Sequence, residues 1–238
     1  MSLRSHEAAA CAVIAIGVCG VLVGSLLVES MRNGQSSAKA TVSTAQSTEE
    51  VQAQTEPTQT PAPTPEPEPV VQTVHFSATG DNLIHECIYN QARARGSDGH
   101  YDFIPAYENL RDFYAGFDVN WLNQETLVND DYEPSGYPMF STPGDITNAL
   151  YNVGFRVFSL SNNHSYDKGA GGIASSMAHW AAMPDDVVSM GFYNLETYDD
   201  YVYQTVNGVT IGYLSYTEMT NGLPTPSGSE YGVVYLDQ

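Results

Sequence analysis

The chain has 238 residues, with 28 Asp and Glu against 8 Lys and Arg, so its net charge is −20. A basic surface for nucleic acid and a polybasic contact with anionic lipid are therefore excluded, because both need clustered cationic side chains. Of the three cysteines, two lie in an apolar N-terminal run and Cys87 stands alone in the rest, which excludes a disulfide framework in the folded part.

The N-terminal segment from Ala8 to Val28 is 21 residues long and carries no charge. A helix of about 20 apolar residues spans the hydrocarbon core of a bilayer, so we predict a transmembrane anchor within residues 1–30. A cleaved signal peptide is the alternative. Its apolar core is usually about 7–15 residues long and ends at a small-residue cleavage site. This run is longer, and it ends in Val28-Glu29-Ser30 without such a site.

Residues 31–72 consist mainly of Ser, Thr, Ala, Gln, Glu and Pro, and they contain no aromatic side chain. Such a composition buries too little apolar surface to fold, so the sequence predicts a disordered linker. Its Pro-rich end, PTQTPAPTPEPEP, favours an extended polyproline II spacer. We expect this linker to hold a folded domain away from a membrane surface.

Residues 73–238 contain every aromatic side chain of the protein and are predicted to form the folded domain. Its 21 acids and 5 bases give it a net charge of −16. Apolar patterning predicts strands at 73–79, 117–122, 155–160, 186–190, 202–206, 209–216 and 232–236. It predicts helices at 84–95, 105–114, 144–153 and 171–182. Asn207-Gly208 is typical of a hairpin turn. The alternation of strands and helices indicates an α/β fold.

Polar clusters follow three of the predicted strands, at the ends where open α/β sheets place their sites. Carboxylate, amide and imidazole groups suit Zn, Mn, Fe or Mg, so the clusters predict a divalent metal site. Asp81 and Glu125 are its candidate ligands, Asn163 completes a second position, and His85 is a further candidate.

His164 is the candidate general acid of this site, with Asp167 three residues on to orient its imidazole ring. Each cluster taken alone has a plainer interpretation. A Gly-Asp pair after a strand is usually a turn, and Asn162-Asn163-His164 is also a sequence that forms turns with Asn in the left-handed region. The combination of the clusters, each at a strand end, is more specific than any one of them.

The segment FRVFSLSNNHSYDKGAGGI, residues 155–173, closely resembles the signature of the CapA family of poly-γ-glutamate capsule biosynthesis proteins. That signature is a buried strand followed by A-N-N-H-x-x-D-x-G-x-x-G, with Ser161 here in place of the Ala. Residues 74–86 resemble the family's first strand and its G-D motif. Asn123-Gln124-Glu125 resembles its N-L-E motif, with Gln124 replacing Leu.

The resemblance implies a relation to calcineurin-like metallophosphoesterases, whose fold is a β-sandwich flanked by helices. It implies that Asp81, Glu125 and Asn163 are metal ligands and that His164 is the acid. It also implies a single-pass protein of the cell membrane with its domain outside the cell. The expected partners are an anionic cell-surface polymer or its precursor, and membrane synthase or export subunits.

The family continues beyond the matched region with further histidines, in an H-x-G-type motif and a G-H-x-P-H motif that do not occur before Gln238. The sequence is therefore expected to be the N-terminal part of such a protein, with an incomplete metal-ligand set. Three functions stay open: a metal-dependent hydrolase, a non-catalytic scaffold of a polymer synthesis and export complex, and an extracellular binding domain.

Overall fold

A computed structural model of the chain describes residues 22–26, 71–196 and 201–236. Residues 31–70 of the predicted linker, and most of the predicted anchor, lie outside this range. Inside it, residues Leu22–Leu26 form strand β1 at the place where the sequence predicts the end of the membrane helix. The backbone of β1 pairs antiparallel with that of β2 (Val74–Thr79). No helix within the described ranges is long and apolar enough to cross a bilayer.

The central sheet has five strands in the order β1-β2-β3-β6-β7. Strands β2, β3, β6 and β7 are all parallel, with Phe76 opposite Val119 and Trp121 opposite Val157. Their bounds are Val74–Thr79, Val119–Asn123, Val157–Ser159 and Val188–Met190. Because these strands run the same way, their carboxyl ends lie along one edge of the sheet.

Helices connect the parallel strands, and this confirms the α/β class. The helices are α1 (Glu86–Arg95), α2 (Ile104–Tyr107), α3 (Arg111–Tyr114), α4 (Ile146–Val153) and α5 (Gly169–Ala181). The helix predicted at residues 105–114 is divided, because a 3₁₀ turn (Glu108–Leu110) separates α2 from α3. Proline in the first turn of α2 suits a helix start, since the backbone N–H that it lacks has no intrahelical partner there.

Within the described residues, three two-stranded ladders accompany the main sheet. The predicted hairpin is confirmed, with Asn207 and Gly208 both at positive φ between its two strands. The other two ladders, one parallel and one antiparallel, are short, and the strands at residues 128–129, 142–143 and 192–194 were not predicted from the sequence. The six strands are β4 (Val128–Asn129), β5 (Thr142–Pro143), β8 (Phe192–Asn194), β9 (Val202–Val206), β10 (Val209–Tyr213) and β11 (Tyr231–Val233).

Apolar side chains cover both faces of the central sheet. Phe158 belongs to the cluster that the helices bury, together with Leu150 of α4 and Trp180 of α5. Its neighbour Val157 points to the opposite face, where it packs in the cluster that includes Tyr213 of the β9–β10 hairpin. Because both faces are occupied, the edge formed by the carboxyl ends of the strands is where polar side chains gather.

Candidate functional site

The three polar clusters follow β2, β3 and β6, which are adjacent parallel strands. Backbone hydrogen bonds continue between the loops just past the strand ends. Asn82 N–H donates to Asn123 O at 2.9 Å, and Gln124 N–H donates to Ser159 O at 3.0 Å. The structure therefore places the clusters that carry Asp81, Glu125 and His164 side by side at one edge of the sheet.

Asp81 and Glu125 form a pair of neighbouring carboxyl groups. Asp81 is exposed and accepts a hydrogen bond from Asn123 Nδ2 at 2.7 Å. Glu125 is only 7% exposed, and its Oε2 atom has no hydrogen-bond partner within the described residues. Burial raises the pKa of Glu125 to about 7, and the charge of Asp81 and a hydrogen bond between the two carboxyl groups add to the rise. Among the described residues, no cationic side chain offsets this rise in the pKa of Glu125.

His164 and Asp167 form a second, buried pair beside the first. His164 Nδ1 lies 2.8 Å from Asp167 Oδ2, and because an ionised carboxylate only accepts, the histidine donates from Nδ1. The same oxygen also accepts from the backbone N–H of Phe140 at 2.7 Å. Asn162 Oδ1 accepts from the backbone N–H of His164 at 2.9 Å, so the Asn-Asn-His turn holds the backbone of the histidine in place. Asp167 also adds to the raised pKa of Glu125, which couples the two pairs.

Phe140 and Asn221 are site residues that the sequence analysis missed. The Phe140 ring meets the rings of His85 and His164 edge to face, with centroids 5.1 and 4.7 Å apart. Asn221 Nδ2 lies 3.4 Å from His164 Nδ1 and 3.5 Å from its Nε2. An Asn-Gly turn signal marks Asn221, which has φ 49°, but no local pattern marks Phe140.

The two remaining predicted ligands, Asn163 and His85, contact Asn221 and Phe140. Asn163 Nδ2 is 3.4 Å from Asn221 Oδ1, and the His85 ring packs on Phe140. Neither side chain hydrogen-bonds to Asp81 or Glu125. In the part of the chain that the structure describes, no group of three or more His, Cys, Asp or Glu side chains is arranged to hold a metal ion.

The carboxyl pair nevertheless fits a divalent cation in its chemistry. Two hard oxygen ligands with like charge adjoin each other, and the Glu125 Oε2 atom has no hydrogen-bond donor within the described residues. A cation bound between the two carboxyl groups would offset the repulsion between them and would give the Glu125 Oε2 atom a partner. Asp81 and Glu125 are therefore the residues that fit, while Asn163 and His85 stay predictions.

The chain is thus an α/β domain with carboxylates and a His-Asp pair just past the ends of its parallel strands. The chain belongs to the family of bacterial capsule synthesis proteins PGA_cap, whose family model matches residues 75–233. This confirms the family predicted from the Asn-Asn-His signature.

A particular relative is the PGA biosynthesis protein CapA of Bacillus subtilis (strain 168), to which the chain is 24% identical over 144 residues. The aligned region is 60% of this chain and 37% of that relative, so the chain spans less than half of the relative's length.

Proposed function

We propose that this chain is a membrane-anchored, extracellular protein of cell-surface polymer biosynthesis or export that carries a metal-dependent hydrolase site. The family and the name of the Bacillus subtilis relative support a role in making an anionic polymer of the poly-γ-glutamate kind. The apolar run at residues 8–28 and the Pro-rich linker support the anchor. The observation that carries the hydrolase site is Glu125, a buried carboxyl group with an unsatisfied oxygen beside a second carboxylate.

Asp81 and Glu125 would hold the divalent cation, whether Mn, Zn, Fe or Mg, with Asn163 and His85 as further candidate ligands. When bound, such an ion polarises a substrate oxygen and lowers the pKa of a coordinated water. The acidic domain would otherwise repel an anionic polymer, since its net charge is −16. The bound cation thus also offsets the charge that faces the substrate.

His164 supplies the proton that the leaving oxygen needs. With Nδ1–H directed at Asp167, the second ring nitrogen, Nε2, is the one that delivers a proton when the ring is doubly protonated. The buried Asp167 carboxylate stabilises that imidazolium and prevents the ring from turning. Phe140 holds the His164–Asp167 pair in position, because its backbone N–H donates to Asp167 and its ring packs against the ring of His164.

The arrangement of layers supports the metallophosphoesterase-like part of the proposal. Helices cover one face of the central sheet, and the β9–β10 hairpin covers the other. We propose that these layers belong to a β-sandwich flanked by helices, of the kind that the family resemblance implies.

A non-catalytic scaffold subunit of a polymer synthesis and export complex is the second candidate function. The small donor set supports it, because the described residues contain no group of three or more His, Cys, Asp or Glu side chains arranged to hold a metal ion. In that case the fold would serve assembly, and the polar edge would bind no metal.

Metal binding and polymer output together separate the two functions. We expect the purified 238-residue chain to bind Mn²⁺ stoichiometrically, and Asp81→Ala and Asn163→Ala to abolish that binding. Asp112→Ala, a change at an exposed aspartate of α3, is the matched control and should bind normally. Stoichiometric metal retained in both site variants would contradict the hydrolase proposal. Normal polymer output from cells that carry those variants would support the scaffold.

A further inference from the structure

A small cavity lies between the end of β3 and helix α5, beside the carboxyl pair. Five polar side chains are among its lining residues: Gln124, Glu125, Thr126, Ser165 and Ser176. The cavity has no room for a water molecule. A polar atom that faces it must therefore find its hydrogen-bond partner in a neighbouring protein group.

Three of the five side chains already form hydrogen bonds with the strands and loops around them. Gln124 Nε2 donates to Thr126 O at 2.8 Å. Ser165 Oγ donates to Leu160 O at 2.6 Å. Thr126 Oγ1 accepts from Thr142 Oγ1 at 2.8 Å. These three groups are therefore satisfied without the remaining two side chains of the cavity.

The remaining two side chains, Glu125 and Ser176, carry buried polar atoms without a partner. Glu125 Oε2 and Ser176 Oγ are both shielded from solvent and form no hydrogen bond within the described residues. A serine inside a helix often donates to the carbonyl group four residues earlier, but Ser176 Oγ makes no such bond to Gly172 O. Two unsatisfied atoms at one cavity are uncommon, since most buried polar side-chain atoms in folded proteins have a partner.

The two unsatisfied atoms are complementary in their chemistry. A serine hydroxyl donates one hydrogen bond, whereas an ionised carboxylate only accepts, through two lone pairs on each oxygen. Rotation about the Cα–Cβ bond of Ser176 moves its hydroxyl between staggered positions while the helix backbone stays in place. Ser176 therefore brings an uncommitted donor to the cavity where Glu125 brings an uncommitted acceptor.

We propose that Ser176 is a positioning residue of the metal site, whose hydroxyl donates to Glu125 Oε2 from the α5 side and holds the carboxylate for the cation. One lone pair of Oε2 accepts the hydroxyl, and the second stays available to the ion. A hydrogen bond to a ligating carboxylate fixes its orientation, and losing such a bond typically weakens metal binding about 10- to 100-fold. This inference rests on the proposed function, because Ser176 acts through Glu125.

Calorimetric titration of Mn²⁺ into the 238-residue chain and its variants tests this role. We expect Ser176→Ala to raise the Kd at least about tenfold, because the ligating carboxylate loses its donor. Ser176→Thr keeps the hydroxyl and is expected to stay within about threefold of the parent Kd. Ser175→Ala is the matched control and should bind as the parent does, since it removes the adjacent hydroxyl of α5, which does not line this cavity.

The melting temperature of the metal-free protein in EDTA separates positioning from packing. Ser176→Ala should melt at or above the parent temperature, because it removes an unsatisfied buried hydroxyl and alanine is the stronger helix former. A melting temperature clearly below that of the parent would assign the hydroxyl to the stability of the fold and would overturn the positioning role.

The Mn²⁺ titrations also distinguish failure of this role from failure of the metal site. Equal Mn²⁺ affinity in Ser176→Ala and the parent chain would overturn the role of Ser176 alone. A loss of affinity in Ser176→Thr or Ser175→Ala as large as that in Ser176→Ala would do the same. A parent chain that binds no Mn²⁺ would instead overturn the proposed metal site, and the role of Ser176 with it.

Discussion

Replacing Glu125 by Gln is expected to stabilise the metal-free protein at alkaline pH. The raised pKa means that the folded state binds the Glu125 proton more tightly than the unfolded chain does. The stability gained from that proton is fully present below the ordinary glutamate pKa of about 4.5, and it is lost as the pH rises through about 7. Above pH 7 the folded protein holds a buried Glu125 carboxylate beside the charge of Asp81.

The size of the effect follows from the pKa difference. A shift from 4.5 to about 7 corresponds to roughly 3 kcal/mol, at 1.36 kcal/mol for each pKa unit. Glutamine does not titrate, so Glu125→Gln does not lose this unfolding free energy as the pH rises. The unfolding free energy of Glu125→Gln minus that of the parent chain should therefore rise by about 3 kcal/mol between pH 4.5 and pH 8. Titrating groups remote from Glu125 behave alike in both chains and cancel in the difference, so the rise belongs to Glu125 and the carboxylates coupled to it.

Urea denaturation of both chains in the presence of a chelator, at several pH values from 4.5 to 8, measures this difference. Glu218→Gln is the matched control, because Glu218 is exposed and lies outside the carboxyl pair. Its difference curve should be flat across the same range. Parallel stability curves for Glu125→Gln and the parent chain would show that Glu125 is not held protonated by its surroundings, and the reasoning about the carboxyl pair would be wrong.

Three further predictions concern the site and the fold. Asp167→Asn should lower the unfolding free energy by about 2 kcal/mol in urea at pH 7, because it removes a charge-assisted bond from His164, and an unchanged midpoint would contradict this. Gly154→Ala should cost about 1–2 kcal/mol in thermal melts, since Gly154 ends α4 at φ 114°, whereas Gly116→Ala should be nearly neutral. Mn²⁺ should raise the melting temperature of the parent chain, and EDTA should reverse the rise, but neither should affect Asp81→Ala; an equal response in that variant would place the metal elsewhere.

Elements with a strong local pattern agree between sequence and structure. Phe155–Leu160 is an apolar, strand-like run that contains β6, and Asn207-Gly208 forms the predicted turn because both residues tolerate positive φ. The break of the helix at residues 108–110 had no comparable local signal. The ladder of β4 and β5 is two residues long on each side, so pairing across the chain decides it, and no periodicity reveals it.

Some residues of the candidate site were likewise predictable from the sequence, and others were not. Asp81, Glu125 and His164 were predictable, because each follows a strand that its own sequence marks, and parallel strands bring such positions together. Phe140 was not predictable, since its role rests on contacts with His85 and Asp167, which are distant in sequence. The charge state of Glu125 likewise depends on burial and on neighbours from other strands.

The sequence by itself determined the α/β class, the family and the three polar clusters, because hydrophobic periodicity and short motifs are local properties of a chain. Only the tertiary structure decided that Glu125 is a buried acid with a raised pKa, that Phe140 joins two histidines, and that Glu125 and Ser176 line one cavity beside α5. The physical reason is that burial, charge coupling and cavity shape are sums over residues far apart in the chain, and they take their values only when the strands and helices have packed.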